Sequence, residues 1–416
     1  MALVQMRRNL ALKLAPARWE LPDSAPLIQE LQHRALASNI VLEVRDARLP
    51  LGSAHKELYD RVLSWKHHLI VLNKADLVHP ETIQAWKLYF HKRQQNYVFV
   101  NGHNKLSVKI MVRKVKFSIL RALKAERTTL AMLAGLPNVG KSVLTNTLHR
   151  VGRYNISALE KMTLAAVGPS PYLTESIRGY KINYTPPMYI LDTPSVMHPS
   201  ITDAELGMNL AVIGAMDYDV VGIEQLVRYC LVLWNSSPHP FQEWWDEFRT
   251  LEFTTQPKDT HTGVEKSKME RSKYTVEVKG ILSEIRLNYE GDPGNENEME
   301  ILVELQLREI WSFFQTTTTK PVSTFKTAKR VVGLFRSGRL GYVTLDALPE
   351  TNEIGESQVD EPDIQLPPEV DVPVKKPYKR KRSLQNVSPQ KLLRMARTQR
   401  KKMEKKRKPC KETYIH

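Results

Sequence analysis

The chain has 416 residues, room for two domains plus tails, with 42% hydrophobic and 8% aromatic residues and a formal net charge of +16. No uninterrupted apolar run approaches the roughly 20 residues that cross a bilayer, so a transmembrane segment is not expected and only peripheral membrane association stays open. Two cysteines, Cys230 in an apolar stretch and Cys410 in a charged tail, suggest neither a disulfide framework nor a zinc knuckle and point to a reducing compartment.

The first segment, MALVQMRRNLALKLAPARW, carries Arg7, Arg8, Lys13 and Arg18 with no acid before Glu20, and its apolar residues recur at helical spacing. Residues 1–20 therefore read as a mitochondrial or plastid transit peptide, with an ordinary basic first helix as the alternative. Short apolar runs follow, each ending in residues suited to face a ligand. NIVLEV (39–44) precedes RDARLP, HLIVL (68–72) precedes NKADL, and YVFV (97–100) precedes NGHN. TLAMLA (129–134) precedes GLPNVGKS, and MYIL (188–191) precedes DTPS. Runs of this length predict strands buried on both faces, hence an α/β domain with a mostly parallel sheet covered by helices and its ligand at the carboxyl ends of the strands.

GLPNVGKS, Gly135 to Ser142, matches the phosphate-loop pattern G-x-x-x-x-G-K-[ST]. Its glycines let backbone N–H groups of the Asn138, Val139, Gly140 and Val143 region approach phosphates; Lys141 reaches the β and γ oxygens, and Ser142 offers a hydroxyl to Mg²⁺ at a helix N-terminus. In NKAD, Asn73 is expected to steady neighbouring loops, while Lys74 and Ala75 lie along a base. Asp76 is expected to accept two hydrogen bonds, from the guanine N1–H and 2-amino groups, a pair that adenine cannot provide. Asn101 and Gly102 of NGHN offer a third loop to the base carbonyl. DTPS supplies Asp192 for the magnesium shell and the Ser195 N–H for a γ-phosphate, and VGPSPYLT places Thr174 in a segment able to close over Mg²⁺. The catalytic set is then Lys141, Asp192 and Thr174, with no general base assigned.

The base-reading motif precedes the phosphate loop, the reverse of the ordinary GTPase order. A sheet is held by neighbours in space, so a domain cut at an exposed loop and rejoined elsewhere keeps its site. The joint is predicted in NKLSVKIMVRKVKFSILRALKAE, where Val108, Val112, Val115, Ile119 and Leu123 mark an amphipathic helix. After DTPS the chain runs almost directly into a helix whose start is read as a capping box, Thr202 with Glu205, so loss of a γ-phosphate can pull on the second domain.

EVRDARLPL, VLNKADL, GLPNVGKS, VGPSPYLT and LDTPS, in that order, resemble a circularly permuted GTPase of the YlqF/RbgA family, in the group of mitochondrial ribosome-associated and plant DAR GTPases. The resemblance implies GTP and GDP as ligands, GTP hydrolysis, and maturation of the large ribosomal subunit with its rRNA in an organelle, here the mitochondrial matrix or inner-membrane face. A monomer is expected away from the ribosome. It also implies K⁺ beside the phosphates at Asn138. A non-catalytic GTP-binding rRNA scaffold and a nucleolar GTPase remain alternatives, as does a plastid location. Two departures from the family bear on mechanism: Ser195 replaces the family's glycine, and WELPDS (Trp19 to Ser24) replaces a histidine-bearing segment; Val196 stands where many other GTPases carry a water-positioning glutamine. His33 is nearby and is assigned no role.

The GTPase domain is thus expected over 21–198 and a smaller helical domain over 199–346. VGIEQLVRYCLVLW, PFQEWWDEF, EMEILVELQLREIWSFF and FKTAKRVVGLFRSG read as helices, with Trp234, Trp244, Trp245 and Trp311 as core. Thr254 to Asn295 reads as a polar, mobile insertion, and Arg336 and Arg339 as a solvated turn or rRNA contacts. Residues 347–374 form an acidic linker, and 375–416, with 17 bases against two acids, a disordered basic tail suited to phosphate-rich RNA.

Overall fold

The computed structural model describes residues 2–21, 25–55, 67–123, 129–152, 178–184, 187–197, 201, 203–237, 263–317 and 323–349. Thr174, Thr202, Trp244, Trp245, the segment PFQEWWDEF, the acidic linker past Pro349 and the basic tail lie outside them.

Among the described residues six strands build one sheet: β1 Ile40–Asp46, β2 His68–Asn73, β3 Tyr97–Val100, β4 Thr129–Ala134, β5 Arg178–Tyr184 and β6 Pro187–Asp192. Their order is β3-β2-β1-β4-β6-β5. All neighbours are parallel except β5, which runs antiparallel to β6 at the edge. Five strands coincide with the apolar runs of the sequence. β5 escapes that reading because RGYKINY alternates, burying Tyr180 and Ile182, as an edge strand does.

The period-two alternation of each strand separates the two faces. On one face Leu42, Val44, Leu69, Val71, Ala131 and Leu133 pack with Val108, Met111 and Val115 of α4 (Lys105–Leu123) and with Leu144 and Leu148 of α5 (Lys141–Gly152). On the other, Val41, Met132 and Ala134 meet Ile28, Leu31 and Ala35 of α2 (Ala25–Ala37). Ile70 and Leu72 on that side meet Trp86 and Phe90 of α3 (Pro80–Lys92). Proline at the first helical position starts α3, where its missing N–H costs nothing. The predicted joint helix is α4, which carries the chain from β3 to the phosphate-loop strand β4.

Within residues 1–20, read as a transit peptide with an ordinary basic first helix as the alternative, residues 2–14 form a helix that packs on the core. Helix α1 (Ala2–Leu14) buries Met6, Leu10 and Ala11 in the main core. It packs on α6 (Ala204–Ile213), α8 (Ile223–Asn235) and α10 (Glu296–Thr317). Its polar face is tied down too: Arg7 donates to the Leu345 carbonyl at 3.1 Å and Asn9 to Glu296 at 3.1 Å. Trp19 lies so close to Gly207 of α6 that a Cβ there would sit 2.3 Å from its ring.

Of the stretch read as a polar, mobile insertion, residues 254–262 lie outside the described residues. Residues 263–288 form a single helix, α9 (Gly263–Asn288), which packs on α10 and buries Val278 and Leu282. Its few apolar residues are spread thinly among charges, so the sequence pattern looks polar although one stripe is buried. Helix α6 starts at Asp203, whose carboxylate accepts from the Glu205 N–H at 3.0 Å, so the cap falls one residue after the predicted Thr202. Between α6 and α8 lies a single short turn of helix, α7 (Tyr218–Val221). Trp234 and Trp311 are partly buried against the core, and Trp234 donates to the Leu340 carbonyl at 2.9 Å.

Candidate nucleotide site

Parallel strands send their carboxyl ends to one edge, so the loops after β1, β2, β3, β4 and β6 gather there. Asn73, the last residue of β2, links three of them. Its amide nitrogen donates to the Val139 carbonyl at 2.8 Å, and its amide oxygen accepts from the Gly102 N–H at 2.9 Å. Thr147 of α5 donates to the Gly102 carbonyl at 2.7 Å. The close approach of Asn73 requires Gly140: at φ +98°, a Cβ would lie 2.3 Å from the Asn73 amide nitrogen.

Lys74 takes the left-handed conformation (φ 60°, ψ 36°) and aims its ammonium at the Asn138 carbonyl, 2.6 Å away. The 3₁₀ turn Ala75–Leu77 then leaves Asp76 exposed and Ala75 half-buried. Asn101 is half-buried, its N–H donating to the Ser107 hydroxyl at 3.0 Å.

The phosphate loop leaves β4 at Gly135, where a Cβ would stand 2.3 Å from the Val44 carbonyl, and enters α5 at Lys141. Lys141 is buried, and its Nζ donates to the carbonyls of Gly135 (2.9 Å) and Leu136 (3.0 Å) and to the Ser195 hydroxyl (2.6 Å). Burial pushes its pKa down to about 8, against the opposing pull of Asp192. Asp192 is buried at the end of β6, and the Thr193 hydroxyl anchors the turn to the Leu133 carbonyl at 2.6 Å. Val139 is buried; Asn138, Ser142 and Val143 are half-buried.

Ser195 sits without glycine's freedom: among the described residues, the non-glycine positions with positive φ are Lys74, Gln94 and Asn138. Val196 is buried against α2 with Ile28, Leu31 and Ala35, so its side chain belongs to the core. Among the described residues no cluster of three or more His, Cys, Asp or Glu forms an all-protein metal cage. Ser142 and Asp192 are oxygen donors of the kind Mg²⁺ takes when phosphates and water complete its shell, so the residues present fit that ion.

Sequence reasoning placed Asp46 and Arg48 in the motif EVRDARLPL without a role for either. Asp46 is fully buried at the end of β1; its carboxylate receives the Arg48 guanidinium at 3.0 and 2.9 Å and the Lys74 ammonium at 3.0 Å. Burial opposes its ionisation, yet the two cations outweigh burial and hold the carboxyl well below the usual range. Asp46 thereby fixes the side chain of Lys74. The signal was present in EVRDARLPL: two acid–base pairs at i, i+2, Glu43 with Arg45 and Asp46 with Arg48, interrupt an otherwise apolar strand.

The helical region reaches this edge directly. Asn138 donates to the Gly214 carbonyl at 2.5 Å, just past α6, and Arg48 donates to the Arg336 carbonyl at 3.2 Å. Arg336 ends α11 (Thr324–Arg336) and is not a solvated turn residue: it donates to the carbonyls of Val212 (2.9 Å) and Ala211 (2.6 Å) and to the Tyr218 hydroxyl (2.8 Å). It closes the C-terminal end of α6, where carbonyls lack partners and a cation is favoured. Arg339 has an exposed side chain. The strap beyond it returns to the β1 loop, with the Leu345 N–H on the Arg48 carbonyl (2.9 Å) and the Asp346 carboxylate accepting from Leu51 and Gly52.

A parallel sheet with a phosphate loop opening a helix, hydrogen-bonded to an NKAD loop that precedes it in the chain, defines a P-loop GTPase with permuted motifs. Residues 130–231 match the family model described as 50S ribosome-binding GTPase. Short integuments 2, mitochondrial, from Arabidopsis thaliana is 32% identical over 80% of this chain and 90% of its own length. Mitochondrial ribosome-associated GTPase 1 from Mus musculus is 32% identical over 53% of this chain and 67% of its own. Ribosome biogenesis GTPase A from Bacillus pumilus is 29% identical over 52% and 71%. The chain belongs to the circularly permuted YlqF/RbgA family of GTPases.

Proposed function

We propose that this GTPase acts in assembly of the large subunit of a mitochondrial ribosome, binding rRNA and leaving after GTP hydrolysis. The observation that carries the nucleotide half of this reading is the Asn73 amide, which ties the base loop to the phosphate loop through Val139 and to the third loop through Gly102. Asp76 reads guanine, Lys74 and Ala75 line the base, Asn101 and Gly102 support its carbonyl edge, and backbone N–H groups of residues 138–143 cradle the phosphates. Lys141 neutralises charge on the transferring phosphoryl group, and the Ser195 N–H meets the γ-phosphate. Ser142, Asp192 and Thr174 would hold Mg²⁺, which when bound would offset negative charge on the phosphates. Asn138 would offer its amide oxygen to K⁺, the role its likeness to the family implies.

The ribosomal half draws on the relatives' names, ribosome-associated, ribosome biogenesis and mitochondrial, and on the family model's 50S description. The concentration of 17 bases in residues 375–416 supports an RNA partner. Cosedimentation of the full chain with purified mitochondrial large subunits tests it. We expect binding with a non-hydrolysable GTP analogue and release with GDP, weakening as salt rises. Equal recovery with both nucleotides, or none with either, would contradict the proposal.

A further inference from the structure

This inference rests on the GTP-binding reading and concerns the hydroxyl of Ser195, as distinct from its backbone N–H. An ammonium has three N–H donors. In Lys141 two are taken by the Gly135 and Leu136 carbonyls, at 2.9 and 3.0 Å, and one by the Ser195 hydroxyl, at 2.6 Å. The two carbonyls belong to the phosphate loop itself. The bond to Ser195 differs in kind, because it joins Lys141 to another segment, the turn after β6. A phosphate oxygen arriving between Lys141 and that turn competes with the Ser195 hydroxyl for the ammonium.

We propose that the Ser195 hydroxyl sets a preference for the triphosphate over the diphosphate by competing with phosphate for Lys141. A serine hydroxyl both accepts and donates. Against Lys141 it accepts; against a γ-phosphate oxygen arriving beside Lys141 it donates. A triphosphate displaces the hydroxyl and at once gives it a new, charged acceptor. A diphosphate displaces it and offers none, leaving a half-buried hydroxyl between the buried Pro194 and Val196. Serine thus penalises the product more than the substrate, and glycine at this position has no such effect. The consequence for turnover is faster GDP release, since affinity differences among related complexes fall mostly on dissociation.

The test is calorimetric titration of the full chain with Mg²⁺ and either GDP or a non-hydrolysable GTP analogue, for wild type, Ser195→Gly, Ser195→Ala and Ser195→Thr. Removing the hydroxyl should tighten GDP by about tenfold, the scale of one hydrogen bond to a charged group, and change the analogue by less than about threefold. Ser195→Thr, which keeps the hydroxyl, should retain the wild-type ratio of the two affinities. GDP dissociation measured by stopped flow should slow in Gly and Ala alike. Equal shifts for both nucleotides, an unchanged ratio in Gly and Ala, or a Thr variant that behaves like Ala would overturn the proposal. A wild-type chain that binds neither nucleotide would instead overturn the reading on which it rests.

Discussion

Lys141 joins the chemistry of the site to a measurable proton. Its folded pKa of about 8 lies below the ordinary lysine value because burial disfavours the charged form. Phosphates favour that charged form, so nucleotide binding above this pKa must take up a proton. We expect affinity for the GTP analogue to be flat below about pH 8 and to fall toward tenfold per pH unit above it. Titrations in buffers of different ionisation enthalpy should register the proton. Affinity that holds constant through that range would show that Lys141 enters the complex without a change of protonation. Asp46 works in the opposite sense: a buried carboxylate held ionised by Arg48 and Lys74, it orders a cation on which the base-side loop depends. Removing one partner of such a buried set typically costs about 3–5 kcal/mol, because the remaining charges lose their compensation.

At the scale of elements, the N-terminal helix changes the account most. Met6 and Leu10 are buried and the polar side chains of α1 reach Leu345, Glu205 and Glu296, so its removal would open the core of the helical region. Leu10→Ala should destabilise the chain by about 2–5 kcal/mol in chemical denaturation, the usual cost of emptying a buried leucine site. Intact-mass measurement of the protein from its compartment should then find residues 2–14 retained. A fully stable, active chain starting after Leu21 would contradict this. The sequence could not separate the two readings of α1, because a basic amphipathic helix looks alike whether its apolar stripe waits for an import receptor or lies against α6 and α8. The strands were legible for the opposite reason: runs such as HLIVL and TLAMLA are buried on both faces and admit few other fates. α9 hid its packing in charge, and Arg336 hid its capping role in the general appearance of a basic turn. Asp46 was read as part of a motif without its partner, since Lys74 lies in another strand's loop and contact across strands leaves no mark on local spacing.

At the scale of the molecule, permutation has a structural consequence. The sheet keeps the base loop beside the phosphate loop through Asn73, while the new chain order delivers the segment after β6 to the helical region. That region is bonded back to the site at three points: Gly214 on Asn138, Arg336 on Arg48, and Leu345 and Asp346 on the β1 loop. A change at the phosphates therefore has short, hydrogen-bonded routes into the helical region, which is what a switch requires. Everything depends on one nucleotide being gripped at once by residues on either side of the permutation joint. The most direct test is binding of GTP and xanthosine triphosphate to wild type and Asp76→Asn, each with and without Lys141→Ala. The account predicts that Asp76→Asn weakens GTP and gains xanthosine triphosphate, by about tenfold or more each for a paired hydrogen bond to a charged group, and that Lys141→Ala weakens whichever triphosphate is preferred. Unchanged base preference in Asp76→Asn, or a preference that switches while binding ignores Lys141, would contradict it.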